Sequence, residues 1–356
     1  MVDVQSIQSI LNVVFGVVVR DVEIFRLPGD AGNRSYYRVT WKTEHSQSLM
    51  LMVLAEPEGF KGSEEAVSGA PSHITELPFI NIHRHLESCH IRVPKIFHYD
   101  AVQGFLLLED LGDATLADVV SKHSLSAPAV FALYQKAIDT LIQIQHDATA
   151  IPHSPTLAHD RAFDQPLFVW EFDHFIEYGI EKRTEGCVIN NRDKDLMRGA
   201  FSDIALRLAM QPQVFTHRDY HSRNLMIQSD AICTIDFQDA LMGPREYDLA
   251  SLLRDSYVDL PEQIIDRLIL YYIKRWDDAT GEKIHEEQFR EIFDLISIQR
   301  NLKAAGRFVY IDQVKNNPKF LAYIPTTLLK VKRNLEKQKR LKPLHELLSK
   351  YVTELQ

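Results

Sequence analysis

The stretch FTHRDYHSRNLMI, Phe215 to Ile227, crowds His217, Arg218, Asp219, His221, Ser222, Arg223 and Asn224 between apolar flanks. A second acidic group, Asp236, follows within AICTIDFQDA. Phosphoryl transfer from a nucleotide needs a carboxylate beside the attacking hydroxyl, together with hard oxygen ligands that hold Mg²⁺ against the phosphates. The order His-Arg-Asp-x-x-x-x-Asn supplies both: Asp219 would accept the hydroxyl proton, and Asn224 and Asp236 would bind the metal through oxygen.

Such groups need rigid neighbours. Residues 214–240 read as a loop, a strand, a turn at Gln228-Ser229-Asp230 and a second strand, set into a helical body. Around them, apolar residues three and four apart predict helices over Pro128–Gln145, Pro166–Ile180, Lys194–Met210, Tyr247–Asp255, Pro261–Trp276 and Glu287–Arg307. The first third differs. Residues 20–27, 35–41 and 48–54 are short β-prone runs divided by turn signals, and they suggest an antiparallel sheet; Leu77–Ser88 reads as a helix and Gly104–Leu108 as a buried strand.

Composition narrows the partners. With 49 acidic against 40 basic residues the formal charge is −9, which disfavours nonspecific binding to nucleic acid or an anionic membrane and favours a small-molecule substrate. Cys89, Cys187 and Cys233 stand far apart in no metal-ligand spacing, as expected of reduced thiols in a cytoplasm. The apolar run Ile10–Val19 is too short to span a bilayer and has no basic flank, so neither a membrane span nor a signal peptide is expected.

With the catalytic loop and Ile235-Asp236-Phe237 in view, the chain resembles the kinase-like phosphotransferases that include aminoglycoside and choline kinases. GDAGNRSYYRV, GFLLLEDLGDATL, FTHRDYHSRNLM, TIDFQDALMGPREYDLASLLRDSYV and IQRNLKAAGRF occur in this order. Together they resemble the bacterial branch acting on the anomeric hydroxyl of N-acetylmuramate and N-acetylglucosamine, over roughly residues 28–325. The resemblance implies an α+β, bilobal, protein-kinase-like fold. A small β-rich N-terminal lobe, 1–110, would bind ATP against a larger, mainly helical lobe, 111–356, that carries catalysis and the sugar site. The alternatives are a kinase of another hydroxyl compound, aminoglycoside- or choline-like, and a nucleotide-binding scaffold without catalysis.

Carried over by position, Gly29, Gly32, Asn33, Arg34 and Ser35 would form the turn over the phosphates, which otherwise reads as a plain hairpin turn. Backbone groups of Glu109 and Leu111 would meet the adenine edge. One departure stands out: SLMLMVLAEP, Ser48–Pro57, has no lysine for the α and β phosphates. Arg34, Arg38 or Lys61 would have to replace it, each also readable as a surface or strand-end residue.

The remaining polar residues have competing readings. His217 is expected to pack, while His221 could lie near the transferred phosphoryl group; Arg218 and Arg223 read as loop-fixing or solvent-facing groups, although Arg223 is close enough to Asn224 in sequence to approach a phosphate, and zinc binding by the two histidines is disfavoured because no third ligand is evident. Asp248 is expected to N-cap a helix and brace the loop, and Asp239 to assist Asp236 or close a turn. Arg300, Lys303 and Arg307 share one helical face, either a solvated stripe or the partner of an acidic sugar such as muramic acid, with Arg300 and Lys303 its contacts. Trp170, Glu171 and His174 could add stacking and hydroxyl contacts. The basic segment Lys330–Lys342 reads as a solvated helix face, not a nucleic-acid site.

Overall fold

The computed structural model describes residues 3–28, 34–42, 46–54, 74–122, 125–150, 155–184, 187–228 and 231–356. They fall into two compact units, one drawn from 1–62 and 94–113, the other from 63–93 and 114–356.

In the first unit five antiparallel strands, β1 (Arg20–Arg26), β2 (Ser35–Lys42), β3 (Ser46–Val53), β4 (Ile96–Asp100) and β5 (Phe105–Glu109), lie in the order β1-β2-β3-β5-β4. The runs read from sequence at 20–27, 35–41, 48–54 and 104–108 are four of them. β4 was not anticipated: IFHYD is short, and its burial alternates only between partial and none. Val39 and Trp41, Leu49 and Leu51, and Phe105 and Leu107 alternate along β2, β3 and β5, so that one sheet face is apolar. Ile7 and Leu11 of the helix Val4–Phe15 complete the core over that face. The helix starts at Asp3, whose carboxylate accepts from the Gln5 N–H at 2.7 Å, and stops at Gly16, where φ is +67°. The apolar run Ile10–Val19 is therefore the end of an amphipathic helix and the chain leaving it. No helix among the described residues is long and apolar enough to cross a membrane.

The second unit is mainly helical. It takes in Pro78–Ser88, then Ala127–Asp147, Gln165–His174, Asn191–Ala209, Glu246–Leu253, Glu262–Thr280, Glu286–Lys315, Ile324–Lys337 and Lys342–Ser349. Two expected helices differ in form. The one expected over Pro166–Ile180 is α-helical only to His174 and continues as a wider π-helical turn, Phe175–Glu181, in which the Lys182 N–H reaches the Glu177 carbonyl at 2.8 Å. There the Phe175 ring occupies the space over Gly179, where an added Cβ would stand 2.2 Å from it. The helix expected to end at Arg307 runs to Lys315 and closes at Asn316, φ +53°.

Two antiparallel pairs interrupt the helices: β6 (Gln213–Thr216) with β9 (Leu241–Pro244), and β7 (Leu225–Gln228) with β8 (Ala231–Thr234). The two strands anticipated here are β7 and β8; Ser229 and Asp230 of the expected turn lie outside the described residues. The ladder of β6 and β9 was hidden, because its two four-residue strands are separated by 24 residues and neither is long enough to show a period of its own.

Candidate active site

β6 delivers the chain into the polar loop at His217. The turn is sharp, with Arg218 at φ +74°, a region uncommon for a residue bearing a side chain. Asp248, in the first turn of Glu246–Leu253, holds it there by accepting the backbone N–H groups of His217 at 2.6 Å and Arg218 at 3.0 Å. Asp248 thus braces the loop, as expected, but does not cap its helix. Its side chain points to the loop's donors instead of its own helix's. Burial pushes its carboxyl up to about 7 despite these donors. His217 is packed as anticipated: its Nε2 lies 3.1 Å from the Ile235 carbonyl, and burial lowers its ring to about 4, so it is neutral near pH 7.

The next residues are tied to one another. Tyr220 donates its hydroxyl to the Ala137 carbonyl at 2.8 Å. Asp255 accepts the Ser222 N–H at 2.9 Å and the Ser222 hydroxyl. Lys330, itself buried, donates to the Asp255 and Val258 carbonyls. One member of the basic segment read as a solvated face thus lies inside, fixing the chain behind the loop. Asn224 donates its side-chain N–H to the Asp219 backbone carbonyl at 3.0 Å, and the Asn224 backbone carbonyl accepts from the Ile235 N–H at 3.0 Å. Asp236 follows at φ +64°, exposed, its Oδ1 accepting from Gln238 at 2.9 Å; the same amide reaches Asp239 at 3.3 Å. Asp219, Asn224 and the chain at Asp236 therefore share one hydrogen-bonded substructure.

Around Asp219 the charge is predominantly positive. Burial pushes its carboxyl up, but Lys303, His221, Arg300 and Arg218 outweigh that effect and hold it at about 2. Burial, with Arg300 adding to it, lowers His221 against the opposing pull of the Asp255, Asp219 and Asp236 carboxylates.

The basic face of Glu286–Lys315 is not a solvated stripe. Lys303 Nζ pairs with Glu171 at 2.6 Å, and Arg307 lies over the Tyr310 ring at 4.7 Å. Arg300 is only 7 % exposed, and its Nε has no hydrogen-bond partner among the described residues. The expectation that Glu171 offers hydroxyl contacts is overturned, because it is fully buried and also accepts from Arg218 at 3.1 Å and Gln299 at 2.6 Å. Trp170 and His174 stack at 5.8 Å between ring centroids, and His174 continues to Tyr178 and Tyr310. Arg223 is gripped by two tyrosines: it donates to the Tyr323 hydroxyl at 2.6 Å and lies 3.9 Å from the Tyr257 ring centre. Neither tyrosine was singled out from sequence, since both are distant from the loop along the chain.

The expected nucleotide residues belong to the other unit. Gly29, Gly32, Asn33 and Lys61 lie outside the described residues. Arg34 precedes β2 and Ser35 opens it, paired with Val53. The Glu109 N–H bonds the Lys95 carbonyl at 2.9 Å, and Leu111 lies two residues on. Arg38 does not stand ready for phosphate: it pairs with Asp110 at 2.7 Å and with Asp113 at 2.7 Å, and these bonds raise its already high pKa.

A β-rich unit and a helical unit bearing this loop define a kinase-like phosphotransferase fold. The chain belongs to the phosphotransferase enzyme family, whose profile matches residues 23–284. It is 31 % identical to an N-acetylmuramate/N-acetylglucosamine kinase of Pseudomonas aeruginosa, covering 93 % of this chain and 89 % of that one. A protein of the same name from Neisseria meningitidis serogroup B is 27 % identical over 94 % of this chain and 92 % of its own. Among solved structures, a choline kinase from Streptococcus pneumoniae superposes with a TM-score of 0.58 at 15 % identity, covering 93 % of this chain and 99 % of that one. An ADP-bound aminoglycoside phosphotransferase does so with 0.57 at 14 %, covering 96 % and 99 %. The expected α+β, kinase-like fold and phosphotransferase class are thus borne out.

Proposed function

We propose that this phosphotransferase moves the γ-phosphoryl group of ATP to the anomeric hydroxyl of N-acetylmuramate or N-acetylglucosamine, in the cytoplasm and in the service of cell-wall sugar recycling. The relatives' names point to these acceptors, and the observation that carries the chemistry is the ionised Asp219 among Lys303, Arg300 and Arg218. Asp219 would accept the proton of the attacking hydroxyl as the oxygen–phosphorus bond forms. His221 and Lys303 would stand beside the transferred group, and Arg223, steadied by its tyrosines, would meet its oxygens.

Asn224 and Asp236 fit a hard cation. The Asn224 amide nitrogen is held by the Asp219 carbonyl, which leaves its oxygen as the atom turned to a ligand, and Asp236 offers an exposed carboxylate. Oxygen donors of this kind suit Mg²⁺. Bound there, Mg²⁺ would neutralise phosphate charge as the bond to the leaving ADP breaks. The first unit would hold the nucleotide through Gly29 to Ser35, Glu109 and Leu111. With no lysine in β3 and Arg38 engaged by Asp110 and Asp113, the metal and backbone donors would carry more of the phosphate binding.

Arg300 would receive the lactyl carboxylate of N-acetylmuramate. A buried guanidinium needs an anionic or accepting partner, and its planar fork matches a carboxylate. The test is phosphorus NMR of the protein with Mg-ATP and a panel of amino sugars, aminoglycosides and choline. A new sugar-1-phosphate signal is expected. Transfer only to another hydroxyl compound would replace the acceptor, and ATP binding without transfer would leave a scaffold.

A further inference from the structure

Glu171 is a fully buried carboxylate of the site and is given no role in the transfer just proposed. It sits on the helix Gln165–His174, with no solvent exposure. A carboxylate taken that far from water needs cationic and hydrogen-bonding partners. Among the described residues it has three, from two further elements: Lys303 and Gln299, one helical turn apart on Glu286–Lys315, and Arg218 of the catalytic loop. One turn beyond Lys303 that long helix comes close to the chain bearing Glu171. A Cβ added at Gly306 would stand 3.0 Å from the Phe175 Cα and 3.1 Å from the His174 carbonyl oxygen. The backbone approach and the ion pair together fix where the Lys303 ammonium stands.

We infer that Glu171 is a positioning residue: it restrains Lys303 and Arg218 as one ionic unit beside Asp219, so that Lys303 does not close onto Asp219 as its ion-pair partner. Lysine is a point charge on a flexible stem and takes the nearest carboxylate available. With Glu171 present that carboxylate is Glu171, and an oxygen of Asp219 remains for the acceptor hydroxyl. Without it, Lys303 would swing to Asp219 and occupy the position the hydroxyl must reach. Arg218, which shares Glu171 with Lys303, is the chain neighbour of Asp219, so the ionic unit adjoins the residue it must leave open. The inference rests on the phosphotransferase reading of the loop.

The test is a double-mutant cycle on Glu171→Gln and Lys303→Met, with kcat, the KM values for Mg-ATP and the sugar, and Tm measured for each protein. Glu171→Gln should lower kcat by roughly 10²-fold, the cost of misplacing a reacting group by about 1 Å, with the KM for Mg-ATP unchanged. Adding Lys303→Met to it should cost less than the same change costs the wild-type protein, because the lysine is already out of place. Losses that multiply in the double variant, or a normal kcat in Glu171→Gln, would overturn the inference. Should Glu171→Gln fail to fold, Glu171→Asp, which keeps the charge but shortens its reach, gives the same comparison. A wild-type protein that transfers no phosphoryl group at all would remove the proposed function, and this inference with it.

Discussion

Replacing Arg300 with alanine separates the two proposed acceptors. The side chain is 93 % removed from solvent, carries one charge, and has an Nε without a partner among the described residues. Hydrogen bonds from a charged donor to a carboxylate contribute about 1.5–3 kcal/mol. Arg300→Ala should therefore lower kcat/KM for N-acetylmuramate by roughly 10- to 150-fold at saturating Mg-ATP. N-acetylglucosamine has no carboxylate. Its loss should be limited to the weaker field on Asp219, where Lys303 and His221 both act more strongly than Arg300, and so stay within about fivefold, roughly 1 kcal/mol. Initial rates of ADP release with each sugar measure both numbers. Arg300→Lys should recover part of the N-acetylmuramate loss, since it restores charge but not the bidentate fork. Equal losses with the two sugars would refute the assignment of Arg300 to the lactyl group.

Asp219→Asn should reduce kcat by roughly 10²- to 10⁴-fold while leaving nucleotide affinity nearly unchanged, as single-turnover kinetics and ATP titration would report. Asp236→Ala should weaken Mg-ATP binding as well as rate; a magnesium dependence identical to wild type would remove Asp236 from the metal. Glu246 is buried and its carboxyl is pushed up to about 7 by burial, against an ordinary 4.5. A carboxyl raised in the folded state adds stability in full only below pH 4.5, and that contribution disappears as pH rises through 7. Glu246→Gln should accordingly melt higher than wild type at pH 8, by up to about 3 kcal/mol of stability, and lose that advantage at pH 5. Equal melting temperatures at pH 8 would contradict the burial argument.

Much of this chain was legible residue by residue. Period-two runs at 35–41 and 48–54 required strands, and period-3.6 runs such as Pro128–Gln145 required helices, because apolar spacing decides which backbone form can bury one face. The spacing of Asp219, Asn224 and Asp236 made the chemistry readable, since a carboxylate and two hard oxygen donors around one strand-turn-strand serve few purposes besides phosphoryl transfer. What spacing could not convey was partnership. Glu171, Arg218 and Lys303 are separated by 47 residues or more along the chain, and their identity as one ionic unit depends on helices meeting in space. The same holds for Arg223 between Tyr257 and Tyr323, and for Lys330, whose surroundings invited a solvated reading until its carbonyl partners were known. Arg300, Lys303 and Arg307 form one stripe in the sequence and three different environments in the fold. A helical repeat determines which side chains share a face; only the packing against that face decides which of them keeps a charge open for a ligand.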